Sequence, residues 1–324
     1  MRNMIVCAAF AIAMGQPAAA AEDWPNRTLT MVVPFAAGGT TDVLGRVMAT
    51  RMGEILGQQI VVENVGGSGG MAGSLRVARA QPDGSQILFA GLGPLVLTQA
   101  LQKKPAFDSI ADFEPVSLVA EVPLVLLLRK DLPVANLQEF VAYTTANASR
   151  MTFASAGSGS APHVGCVLLN TAMRTDVTHV PYRGSGPAMH DLIGGRVDFF
   201  CEALPTALAQ IRAGSVKPIA LMTRERSKLL PDLPTAHEQG LAGFEAYTWF
   251  ALYLPRGTPQ AIVRRLREAA LQTIQTASVR EKLEELGATM VTPDRATPDY
   301  LIRFMQTEIQ KWYAPIKATG AAAE

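Results

Sequence analysis

Residues 29–48 read LTMVVPFAAGGTTDVLGRVM. The first seven are apolar and partly β-branched, as in a buried strand, and after the glycines Val43, Leu44, Val47, Met48 and then Met52 recur at helical spacing. A strand therefore runs through a glycine turn into a helix. The turn offers little side-chain chemistry, but glycine lets backbone approach a ligand closely, and the first-turn N–H groups of the helix have no partners within it. Together with the positive end of the helix dipole, those donors make the turn a candidate anion site. Phe35, Ala37, Gly38, Gly39, Thr40, Thr41 and Asp42 are the candidate contacts. The competing reading is an ordinary helix cap, with Asp42 simply placed favourably in the first turn.

The same grammar recurs twice. Residues 151–155 lead into AGSGSAPHV (156–164), and residues 86–90 lead into GLGPLVLTQAL (91–101). Further short strands are expected at 60–63, 125–128, 197–202 and 217–222. This alternation predicts an α/β protein with largely parallel sheets, whose ligands sit beyond the carboxyl ends of the strands. Ser155, Gly157, Ser158, Gly159 and Ser160 form a second candidate cradle, in which hydroxyls add donors without adding charge. Segments 118–128 and 247–254 are uncharged, or nearly so, without helical period, and fit crossings between two lobes. The division this implies is 22–121 with 247–324 in one discontinuous lobe and 122–246 in the other. Toward the C-terminus, Thr258-Pro259 and Thr297-Pro298 read as N-caps before an N1 proline, and Ser278 with Glu281 reads as a capping box closed by Gly287.

Length and composition bound the function. Arg2, an apolar stretch over 5–14 and the small run 18–21 fit a secretory leader over 1–21, cleaved after Ala20 or Ala21. Export to the periplasm, as a monomer, is the expectation. One of the 29 basic residues, Arg2, falls in that leader, so 28 remain against 28 acidic residues. Such a balance lacks the basic face of a nucleic-acid binder. Cys166 and Cys201 would meet an oxidising compartment, where pairing is open to them, but two cysteines make no framework and buried free thiols are expected.

Catalytic and metal readings are weak. Gly66-Gly67-Ser68-Gly69-Gly70 satisfies G-x-S-x-G, which keeps a secreted serine hydrolase using Ser68 as an alternative; but a nucleophile elbow needs a late histidine, and the last is His237. Gly67-Ser68-Gly69 with Ala72 mimics a dinucleotide fingerprint, but no acidic residue closes the next strand. His163, His179, His190 and His237 are scattered, and neither Cys166 nor Cys201 lies in a C-x-x-C, so no metal or cofactor is expected. His163 is a candidate contact whose competing role is capping or packing.

Successive blocks, WPNRTLTMVVPFAAGGTTD, VVENVGGSGG, ARAQPDGSQILFA, FEPVSLVA, FASAGSGSAPHVG, HVPYRGSGPAMHDLIGGRVDF, LPDLPTAHEQGLAGFE and LPRGTP, resemble in order those of the Bug-type extracytoplasmic solute receptors of tripartite tricarboxylate transporters. The resemblance implies a periplasmic-binding-protein fold, type II-like, whose two α/β lobes close on a small carboxylate and deliver it to a two-component membrane permease. It implies no enzyme, and it sets the loops 35–42 and 155–160 against the ligand carboxylate with water bridging part of the contact. It also places Tyr182 in the cleft wall. A ligand sensor serving a signalling partner is the remaining alternative. The chain departs from the family at two places: Glu202-Ala203 stands where Asp-Asn is usual, and Gly91-Leu92-Gly93-Pro94 where Thr-Asn-Gly-Thr is usual. Leu92 and Glu202 therefore join the candidate contacts. The departures predict a ligand with one carboxylate and a largely apolar or aromatic body, with any donor group facing Glu202, rather than a tricarboxylate.

Overall fold

The computed structural model describes residues 23–102 and 104–318. The expected leader lies outside them. Strands β1 (Leu29–Val33), β2 (Ile60–Asn64) and β3 (Gln86–Gly91) pair in parallel in the order β2-β1-β3. Helices α1 (Thr40–Leu56) and α2 (Met71–Ala78) connect them, as β-α-β units require. After β3 the chain winds through a π turn, Gly93–Leu97, into the short helix α3 (Thr98–Leu101).

Strand β4 (Phe113–Arg129) is 17 residues long and pairs with different partners over its two halves. It is followed by α4 (Leu137–Asn147), β5 (Thr152–Ser155), α5 (Ala161–Met173), β6 (Thr178–Pro181), α6 (Ser185–Ile193), β7 (Phe199–Ala203), α7 (Leu204–Arg212) and β8 (Val216–Leu221). Strands β6-β5-β7 are parallel, whereas β7 and β8 both pair antiparallel with β4 over residues 124–129. Strand β9 (Tyr247–Pro255) returns antiparallel between β3 and residues 113–123 of β4. Helices α8 (Gln260–Gln275), α9 (Ala277–Glu285) and α10 (Pro298–Ala318), with the two-residue strand β10 (Thr289–Met290), complete the chain.

The sheets are mixed rather than largely parallel. Parallel pairing is confined to the three strands at each end, where helical crossovers join the strands. The long β4 and β9 have no such crossover between them and their neighbours and run against both. The burial of β4 explains its lack of any alternating polar pattern: 14 of its 17 residues are uncharged, and Leu124, Val125, Leu126, Leu127 and Leu128 are all fully buried.

Three local expectations are corrected. Helix α9 starts one residue before Ser278, with Thr276 as its uncapped N-terminal neighbour, so no capping box forms. Helix α8 starts after Pro259, and the Thr258 hydroxyl instead donates to the Pro255 carbonyl at 2.7 Å. Thr297 does cap, accepting the Tyr300 N–H at 3.1 Å. Finally, Cys166 and Cys201 form a disulfide with Cα atoms 5.5 Å apart, where free thiols were expected. Helix α5 packs on β7 and brings the two fully buried sulfurs together, a contact their separation of 35 residues conceals.

Candidate functional site

After β1, Gly38 takes φ +83° and Gly39 turns extended as the N-cap of α1, with no side-chain cap on the helix. The first-turn N–H groups of Thr40 and Thr41 are therefore left for another acceptor. Asp42 turns back into its own lobe. It accepts from the Gly38 N–H at 3.0 Å, from Asn64 at 3.0 Å and from Arg46 at 3.1 Å. Burial alone would raise its carboxyl, but these bonds and the Arg46 charge outweigh burial and hold it below its ordinary value.

The second loop is braced from behind. Ser155 is fully buried; its hydroxyl meets His179 Nε2 at 2.6 Å and accepts the Gly157 N–H at 3.0 Å. His163 Nδ1 accepts the Gly159 N–H at 3.2 Å, and Ser160, the N-cap of α5, accepts the His163 N–H at 3.3 Å. The two imidazoles lie 4.2 Å apart over Phe153. Burial holds His163 neutral with its pKa lowered to about 3, helped by His179, and lowers His179 to about 4. Tyr182 donates to Asp191 at 2.6 Å, and burial with that bond pushes its phenol up to about 12.

Between the loops lies a cavity with about 40 Å³ of room for water. Seven of the candidate residues line it: Phe35, Gly39, Thr40, Thr41, Leu92, Ser160 and Glu202. Ala37, Gly38, Asp42, Ser155, Gly157, Ser158, Gly159, His163 and Tyr182 are not in its wall; most of these shape or brace the loops that are. The lining draws on four helix N-termini, through Gly39 to Thr41 of α1, Ser160 to Pro162 of α5, Ser185 of α6 and Ala203 before α7. Helices α1, α6 and α7 carry no side-chain cap. No Lys or Arg lines the cavity, so positive potential there comes from backbone. The wall also includes Leu92, Pro94, Ala156, Ala203, Thr248 and Phe250. Ser185, Thr248 and Phe250 escaped sequence reading; Ser185 follows a glycine in YRGSGPA, the one signal that pointed to another helix start.

Glu202 is the exception in this wall. It is fully buried, and neither carboxyl oxygen has a hydrogen-bond partner. Burial pushes its pKa up to about 8; Ser185, the Ala203 N–H and Thr40 lie near enough to temper the shift, without completing a bond in hydrogen-bond geometry.

The two halves also meet through backbone. The Ala36 N–H donates to the Arg183 carbonyl at 3.0 Å, and the hydroxyls of Thr40 and Thr206 lie 2.7 Å apart. At Gly69, φ is +62° and a Cβ would sit 2.0 Å from the Ser158 carbonyl oxygen. The G-x-S-x-G loop is thus part of this seam, and no hydrogen bond among the described residues joins Ser68 to a histidine.

Two α/β lobes closed over a cavity at converging helix N-termini define a periplasmic-binding-protein fold. The chain belongs to the tripartite tricarboxylate transporter receptor family, whose model matches residues 44–321. It is 35% identical over 302 residues to Protein BugT of Bordetella pertussis, covering 93% of this chain and 92% of that one. Among solved structures it is similar to the periplasmic binding protein BugD, with a TM-score of 0.90 at 37% identity over 93% of this chain and all of that one. It is also similar to MatC of Rhodopseudomonas palustris, solved with bound malate, with a TM-score of 0.88 at 40% identity over 90% of this chain and all of that one. The chain is thus a Bug-type receptor of that family.

Proposed function

We propose that this protein is a periplasmic, non-enzymatic, monomeric receptor that captures a small carboxylate and presents it to a two-component permease. The observation that carries the reading is the cavity walled by four helix N-termini and no basic side chain. Backbone donors hold the carboxylate at Thr40, Thr41 and Ser185, while Phe35, Leu92, Pro94 and Phe250 face the rest of the molecule. An apolar wall suits a ligand with one carboxylate and an apolar body, because a second carboxylate there would be desolvated without partners. The malate bound to MatC supports the carboxylate class.

The moving parts are residues 22–121 with 247–324 and residues 122–246, hinged where β4 changes partners. Ligand contacts to both lobes favour the closed state over the open one, and the permease reads that state. The test is a thermal-shift screen of malate, citrate, succinate and benzoate, followed by small-angle scattering with the best binder. Binding raises the apparent melting temperature with ligand concentration and compacts the protein. Unchanged stability with all four acids, or unchanged dimensions at saturation, would overturn the receptor reading or the clamp respectively.

A further inference from the structure

The anion cavity contains an acid. Glu202 ends β7 with its side chain fully buried in the cavity wall, both oxygens unpartnered, and it is the one ionisable side chain among the lining residues. It lies close to Thr40 and Ser185, the first residues of α1 and α6, and so beside the donors assigned to the ligand. Ionised, it would set a like charge against a bound carboxylate in a space with no Lys or Arg to offset either. The helix ends favour one negative charge there.

We propose that Glu202 faces the cavity as the neutral acid and donates its proton in a hydrogen bond to the bound carboxylate, so that anion capture is linked to protonation of this side chain. The inference rests on the carboxylate-receptor reading. It assigns both unpartnered oxygens a purpose: the hydroxyl oxygen supplies a charge-assisted O–H···O⁻ bond, stronger than a neutral one, and the carbonyl oxygen faces Ser185 and Thr40. Burial, which favours the uncharged form of Glu202, acts in the same direction.

Other ionisable groups on the elements packed around β7 are engaged elsewhere. On α1, Asp42 is held by Arg46, Asn64 and the Gly38 N–H. His163 of α5 takes the Gly159 N–H, and His179 of β6 the Ser155 hydroxyl. On α6, Asp191 pairs with Tyr182 and Arg196, while His190 is exposed in the last turn. Arg129 of β4 pairs with Asp198 and Asp131, Lys217 of β8 donates to the Leu132 and Val134 carbonyls, and Arg212 is exposed at the far end of α7. Tyr247 of β9 pairs with Glu308. Glu202 therefore titrates in response to the cavity and its occupant.

Two measurements on the full protein test this. Infrared difference spectra of wild type minus Glu202→Gln, from pH 6.5 to 9.5, report the carbonyl stretch of an un-ionised acid. Calorimetry with malate, succinate and benzoate over the same range reports affinity. The acid band is expected at pH 7 and fades through about pH 8; the best probe weakens about thirtyfold between pH 7 and 9.5. Glu202→Gln, which keeps an N–H donor but cannot ionise, shows no such decline from pH 7 to 9.5. Absence of the acid band at pH 7, a flat wild-type affinity profile, or the same decline in Glu202→Gln would overturn the proposal while leaving the receptor reading intact. Should the variant fail to fold, the wild-type profile decides alone. Failure of all three acids to bind at any pH would overturn the receptor reading, and this proposal with it.

Discussion

Replacing Gly69 with alanine should weaken ligand binding by blocking closure rather than by touching the ligand. The added Cβ would lie 2.0 Å from the Ser158 carbonyl oxygen, so the lobes must part by about 1 Å before the contact reaches 3.0 Å, the shortest that a Cβ tolerates. Parting the seam by that much strains the two hydrogen bonds that cross it, Ala36 to Arg183 and Thr40 to Thr206. At about 0.5–1.5 kcal/mol net for each, the closed state loses roughly 1–3 kcal/mol. Because apparent affinity scales with the fraction of protein able to close, a binding carboxylate should weaken by about 5- to 150-fold in calorimetry. Backbone strain at φ +62° adds about 1–2 kcal/mol to the variant's cost in folding, which a control must separate. Gly57→Ala provides it: φ is +72° there with no atom within 4 Å of the added Cβ, so stability falls similarly while affinity holds. Wild-type affinity and ligand-induced compaction in Gly69→Ala, or equal affinity loss in Gly57→Ala, would refute the seam as the closing surface.

Thr41→Ala should weaken binding only about two- to tenfold, because the backbone donors remain, whereas Ser155→Ala should act on stability, by about 1–3 kcal/mol in urea unfolding, since it strips partners from buried Gly157 and half-buried His179. A complete loss of binding in Thr41→Ala would contradict a backbone cradle. Removing the disulfide by Cys166→Ala with Cys201→Ala should cost about 2–4 kcal/mol, given the 35-residue separation, and a urea midpoint unchanged from wild type would contradict this. Stability should also fall on acidification. The folded pKa values of His163 and His179 are depressed to about 3 and about 4, so their contribution is complete above about pH 6.5 and is lost as pH falls toward those values. His163 alone gives about 1.4 kcal/mol per pH unit and half-buried His179 less; an unfolding midpoint no lower at pH 5 than at pH 7 would refute it.

The strand-turn-helix units were legible because each depends on local pattern: an apolar run, a glycine turn, then helical spacing within some twenty residues. The same locality explains what was missed. Strand β6 (THVP) is exposed at both ends and only half-buried between, so its four residues carry no apolar run to mark it. The disulfide and the reversed directions of β4 and β9 are set by pairing between distant segments. In the site, the helix-start residues Gly39 to Thr41 and Ser160 announced themselves through turn chemistry, but whether a serine faces the cavity or its own lobe did not. Ser155 and Ser160 sit five apart in one polar loop, and only the packing of His163 and His179 turns the first inward.

On the proposed reading, a cradle built from backbone lets one fold take different acids. The N–H groups of Thr40, Thr41 and Ser185 persist through almost any side-chain replacement, so the carboxylate end of the site is buffered against sequence drift. Discrimination must then come from the groups that do change with sequence, and in this cavity those are Leu92, Pro94, Glu202, Ala203 and Phe250. Four of these five lie at or just beyond the carboxyl ends of β3 and β7. Leu92 is 1% exposed and still part of the wall, which means that it packs into its lobe and presents carbon to the cavity at once. An incoming hydroxyl or second carboxylate would meet that carbon and lose its water, whereas a methylene or ring would gain contact. The same fold and anchor can therefore serve acids of different character when only these few side chains are exchanged.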